Sequence, residues 1–226
     1  MLAIVSVCYH GVCKYAIPMT GINPIFYIIT LIMSVVIHEI AHGYAALRYG
    51  DHTAEYQGRL TLNPLKHLDL YGSIILPLLL VLSHAPFMIG WAKPVPYNPN
   101  NFRPEERRMG SIWVASAGIL ANIAIAFFMS VFIRLAVALP TISDSVIPLA
   151  GVVVMVNIVL AFFNLIPIPP LDGSKILFGF IGYKSMRLER FMEKYSFLFL
   201  LFFIFVLWRF ITPIIELIFG LLTGIS

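Results

Sequence analysis

From about residue 24 to 47 the chain is an apolar run whose only His, Asp, Glu, Lys or Arg residues are His38, Glu39 and His42, and that combination limits the fold more than any other feature. A helix over these residues is about 36 Å long, enough to cross the hydrocarbon core of a bilayer. Ionisable groups at membrane depth are costly and mark function by default. Helical residues four apart differ by about 40° in azimuth and about 6 Å in height. His38 and His42 therefore share a face and can grip one ion, and Glu39 stands beside them, where it can take a proton from a water on that ion. In a soluble helix the same residues are often a solvated face; the apolar surroundings weaken that reading. Arg48, ending the run, points to the cytosolic side.

Composition agrees. Of 226 residues, 60% are hydrophobic and only 12% charged, against about a quarter charged in a soluble domain. The expected fold is an all-α polytopic membrane protein, one unit over 1–226 with its core at about 24–180. It has four or five transmembrane helices, a re-entrant or extra hydrophobic segment, and a small membrane-associated β-hairpin. A net charge of +4 fits a cytosolic surplus of Lys and Arg better than a nucleic-acid footprint. Cys8 and Cys13 do not have zinc-ribbon spacing, and a disulfide or two free thiols remain open. No standard cleavable signal peptide is apparent.

Residues 1–20 read as a short interfacial or partly inserted lead-in. In 50–70, the alternation from Arg59 to Leu62, stopped by Asn63-Pro64, predicts a hairpin whose edge accepts an extended peptide. Residues 72–90 are apolar but broken at Ser83–Pro86, with basic residues on both sides. They either re-enter or form an ordinary span. Residues 91–108 are a proline-rich cytosolic loop. Helices follow at 110–138, 148–166 and 196–222. Gly118 and Asn122 share a face of the first of these, as residues that let helices approach and bond across the contact. The 139–147 loop, with Asp144, is expected outside. The 184–194 stretch, with Lys184, Arg187, Arg190 and Lys194, is expected in the cytosol. Arg209 and Glu216 receive no chemistry.

The prolines at 167, 169 and 170 forbid a regular helix, and the charge pattern puts Asp172, which follows them, at the cytosolic end of its helix, the same side as the histidines. Two His and one Asp make a zinc set that leaves a fourth position for water. Zinc acidifies that water, Glu39 deprotonates it, and the proton passes to the leaving amide nitrogen. Asn164 is a donor for the oxyanion. Asp172 also reads as a helix N-cap ahead of Ile176-Leu177.

His38-Glu39-Ile40-Ala41-His42, Gly118 to Asn122, and Asn164 through Gly173 together resemble the site-2 protease family of intramembrane zinc metalloproteases. Gly58-Arg59-Leu60-Thr61-Leu62-Asn63-Pro64 and Gly90-Trp91-Ala92-Lys93-Pro94-Val95 are similar to its compact bacterial branch, without PDZ or CBS domain. The resemblance implies one zinc at His38, His42 and Asp172, Glu39 as catalytic base, Asn164 at the substrate or oxyanion, and membrane helices of other proteins as substrates in the plasma membrane. It departs at Ile119, where relatives often carry proline. An unwound substrate is expected to pair with Leu60, Thr61, Leu62 and Asn63. Oligomeric state is left open. His52 and His67 are expected as solvated loop residues. His84 and His10 carry no assignment. An inactive helix-binding scaffold and a metal transporter are the rivals; the intact Glu39 argues against the first and the single cluster against the second.

Overall fold

Among the described residues, four helices are long and apolar enough to span a membrane, over Ile25–Arg48, Arg107–Ala138, Val146–Leu165 and Ser196–Thr223. The computed structural model describes residues 2–5, 22, 24–83, 88–139, 146–182 and 186–225. The expectations for Cys8, Cys13, His10, His84, Asp144, Lys184 and most of the 1–20 lead-in lie outside those residues.

The first span is α1 (Pro24–Arg48). A one-turn helix, α2 (Thr53–Tyr56), follows it. A 3-10 turn (Pro64–Lys66) and a π-helical turn (Leu70–Ile75) lead into α3 (Leu76–Leu82). Two strands, β1 (Leu2–Val5) and β2 (Met88–Trp91), pair antiparallel with Leu2 opposite Trp91. The remaining helices are α4 (Arg107–Ala138), α5 (Val146–Leu165), α6 (Asp172–Ile181), α7 (Met186–Lys194), α8 (Ser196–Phe202) and α9 (Trp208–Thr223). A π-helical turn joins the last two.

α4 is the hub, packing against α1, α5, α6 and α9. Every fourth residue of it from 110 to 130 is buried: Gly110, Val114, Gly118, Asn122, Ala126 and Ser130. Each step of four turns about 40°, so the row winds roughly half-way round the helix. Its first half faces α1, and its second half, with Ile133, faces Val154 and Ile158 of α5 and Ile215 and Phe219 of α9. Asn122 is fully buried, but neither amide atom has a partner among the described residues. The bond between helices comes instead from Asn157 of α5, whose Nδ2 donates to Ser34 of α1 at 2.9 Å.

Two expectations are corrected. No hairpin forms in 50–70. The alternation is too short to nucleate a strand, because Arg59 turns inward and Asn63 caps the Pro64 turn by accepting from the Leu65 amide. Leu60–Asn63 thus lie in an irregular segment and not on a strand edge. Nor do the described residues of 72–90 hold a helix long enough to span, and nothing in them supports a re-entry: α3 has seven residues, and Met88–Trp91 is a strand.

Candidate active site

His38, Glu39 and His42 lie in the second half of α1 and are all buried. Opposite them, α5 ends at Leu165 and the chain doubles back. Gly173 permits this: a Cβ there would run into the Leu165 carbonyl. The turn leaves Asp172 as the first residue of α6 rather than its cap, which is Leu171. The N-cap reading of Asp172 is thereby set aside.

Asp172 Oδ2 lies 3.1 Å from His38 Nε2 and 3.1 Å from His42 Nε2. Ligand atoms about 2.0–2.1 Å from a tetrahedral zinc are about 3.3 Å apart, so the three atoms are spaced to hold such an ion. The tautomer agrees. His42 Nδ1 contacts the Val114 carbonyl at 2.6 Å. A carbonyl only accepts, so Nδ1 carries the proton and Nε2 keeps its lone pair for a metal. Lys175, one turn along α6, donates to Asp172 Oδ1 at 3.2 Å, which leaves Oδ2 to the histidines. Burial alone would raise the Asp172 carboxyl. When the histidines carry protons on Nε2 as well, the charge of His42 and the hydrogen bonds from His38 and His42 outweigh it, with help from Lys175, and hold it well below the ordinary range; in the neutral tautomer the same Nε2 atoms are free for a metal. Burial lowers Lys175, and Asp172 more than restores it.

These residues border a cavity of about 430 Å³ whose lining includes Glu39, His42, Asn164 and Asp172. Its other walls come from Pro94, Val95 and Tyr97 of the loop after β2 and from Glu189 and Glu193 of α7. Glu39 Oε2 accepts from the Val95 amide at 2.8 Å. Asn164 spends one amide proton on the Leu160 carbonyl of its own helix at 2.8 Å. Its second proton and Oδ1 remain for the cavity. Gly118 contacts the metal set directly, because its missing side chain is the space the His38 ring fills.

Leu60–Asn63 do not border the cavity. Leu60 packs on Gly43 of α1, and Thr61 gives its carbonyl to His67. His67 is not solvated as expected; it is 1% exposed. His52 is exposed and contacts Glu55 at 2.7 Å. Sequence reasoning missed Lys175, although its spacing of three from Asp172 was a signal. It also missed the Val114 carbonyl and Val95 amide, which no side chain announces.

A model of peptidase family M50 matches residues 135–207, a stretch that contains Asn164 and Asp172. The chain is 40% identical over 157 residues to the candidate zinc metalloprotease YwhC of Bacillus subtilis (strain 168), covering 67% of each. It is 32% identical over 169 residues to the candidate zinc metalloprotease Rip2 of Mycolicibacterium smegmatis, covering 74% of this chain and 61% of that one. Against Rip2 of Mycobacterium tuberculosis strain H37Rv the figures are 29% over 174 residues, 75% and 62%. The chain thus spans about two thirds of the length of YwhC and somewhat less of the mycobacterial proteins. No solved structure is similar enough to count as a relative.

Proposed function

The chain belongs to peptidase family M50, and from that premise we propose that it is a zinc-dependent endopeptidase that cuts membrane-spanning segments of other membrane proteins. The observation that carries this reading is the convergence of His38, His42 and Asp172 on one point beside Glu39, in a cavity set among apolar spans.

His38, His42 and Asp172 would hold the zinc, which would supply Lewis acidity toward a water and a peptide carbonyl. Glu39, tied at Oε2, offers Oε1 as the general base. It takes the proton of the attacking water and returns it to the leaving amine. Asn164 catches a backbone group of the substrate with its free N–H or Oδ1. A helix hides its peptide bonds, so the substrate unwinds first, and helix-breaking residues near the cut lower that cost. Lys175, Glu189 and Glu193 give the cavity a polar wall that lets water in. Leu60–Asn63 act on the substrate indirectly, through Gly43 and the loop that contacts Glu39.

The test compares wild type with Glu39→Gln in detergent, for zinc content and for cleavage of a model membrane helix. Both proteins are expected to hold about one zinc per chain. Cleavage should fall by about 10²–10⁴-fold in the variant. Equal cleavage by the two proteins removes Glu39 from the mechanism, and a folded wild type without zinc removes the metal centre.

A further inference from the structure

The loop after β2 contains Lys93-Pro94-Val95-Pro96. Each proline lacks an N–H and holds the residue before it extended. Across Pro94–Pro96 the single backbone donor is therefore Val95 N–H, and it goes to Glu39 Oε2 at 2.8 Å. That is the one hydrogen bond to Glu39 among the described residues. The carbonyls on the approach to Val95 are fixed as well. Arg59 Nη2 donates to Lys93 O at 2.8 Å and to Pro94 O at 3.2 Å. The Lys93 amide donates to the His67 carbonyl at 2.8 Å. Both anchors come from the 59–67 segment, which borders no part of the cavity.

Arg59 is 6% exposed. Such a burial is costly for a guanidinium, and here its visible return is two backbone carbonyls rather than a carboxylate. No contact of ion-pair length joins it to Glu39 among the described residues, although Glu39 is near enough for its charge to favour the guanidinium. We propose that Arg59 is a positioning residue for the catalytic base: by clamping Lys93 and Pro94 it holds the Val95 amide against Glu39 and so aims the other carboxylate oxygen into the cavity. This rests on the reading of Glu39 as base. It gives the Gly58–Pro64 motif a task that does not require it to touch substrate. Metal binding needs none of these contacts, because His42 is set by Val114 and Asp172 by Lys175.

The experiment uses the full chain in detergent with zinc bound, as wild type, Arg59→Gln, Arg59→Lys and Glu39→Ala. It measures kcat, KM, zinc content and hydrogen exchange at the Val95 amide. Arg59→Gln is expected to lower kcat by about 10–100-fold, the scale of a misplaced reacting group, with KM and zinc content close to wild type. Val95 exchange should accelerate while α4 and α5 stay protected. Arg59→Lys, one point charge in place of a fork, should recover part of both. Glu39→Ala should free the Val95 amide with Arg59 intact. Wild-type kcat in Arg59→Gln overturns the proposal, as does an unchanged Val95 amide. Loss of zinc together with loss of helix protection also overturns it, in favour of a general structural role. A wild type that cleaves no membrane helix defeats the protease reading alone, since Val95 exchange still reports whether Arg59 sets Glu39.

Discussion

A methyl group on residue 118 would lie 2.5 Å from His38 Nε2, the atom that faces Asp172. Gly118 is thus part of the metal centre by omission, although its sequence context announces only close helix packing. Gly118→Ala should push the ring off the line to Asp172 and weaken zinc by at least about tenfold, as loss of a supporting contact does. Alanine favours a helix over glycine by about 1 kcal/mol, so lost zinc in this variant cannot be charged to a melted α4. Chelator competition beside circular dichroism separates the two, and wild-type zinc affinity in Gly118→Ala would falsify the steric account. His38, Glu39, His42 and Asp172 were legible because charge is conspicuous in an apolar run. What supports them was not. A backbone amide at Val95, a carbonyl at Val114 and a vacancy at 118 have no chemical signature in a sequence, and they meet the site only through folding.

Two arginines on α4 show how its neighbours are finished. Arg108 donates to Gly179 O at 2.6 Å and Phe180 O at 2.5 Å, at the end of α6. Arg134 donates to Leu222 O at 2.6 Å and Leu221 O at 2.5 Å, at the end of α9. The last carbonyls of a helix lack partners within it and carry partial negative charge. In each case a glycine with positive φ, Gly182 or Gly224, then turns the chain away. Arg134→Leu should therefore lower the stability of the detergent-solubilised protein by about 1–3 kcal/mol while zinc content stays as in wild type. Thermal denaturation checks the first half, and an unchanged melting temperature would remove Arg134 as a cap. The four spans were readable from length and apolarity, because a bilayer imposes both. The 50–70 segment was not. Leu60 and Leu62 mimic a strand period, but Leu60 seeks Gly43, and the Arg59 side chain seeks carbonyls more than thirty positions away. Four residues of alternation cannot outweigh such contacts.

The metal set and its access share one end of the bundle. His38 is ten residues from the end of α1 at Arg48, about 15 Å along the axis. Around that end stand Arg48, Lys66, Lys93, Arg103, Arg107, Arg187, Arg190 and Lys194. The bulk of the positive charge thus lies on the side from which the cavity is lined by Lys175, Glu189 and Glu193. Positive charge marks the cytosolic side, so on the proposed reading water and protons are expected to reach Glu39 from the cytosol, and a substrate helix is expected to be cut in its cytosolic half. Both Glu105, before α4, and Leu139, after it, are exposed. Each can be replaced by cysteine in a Cys8→Ser, Cys13→Ser background and exposed to a membrane-impermeant maleimide on intact cells. Leu139→Cys should label at once, and Glu105→Cys only after the membrane is opened. The reverse pattern would place the cavity outside. Product release would reverse with it, because the half of the substrate freed into water is the half on the cavity's own side.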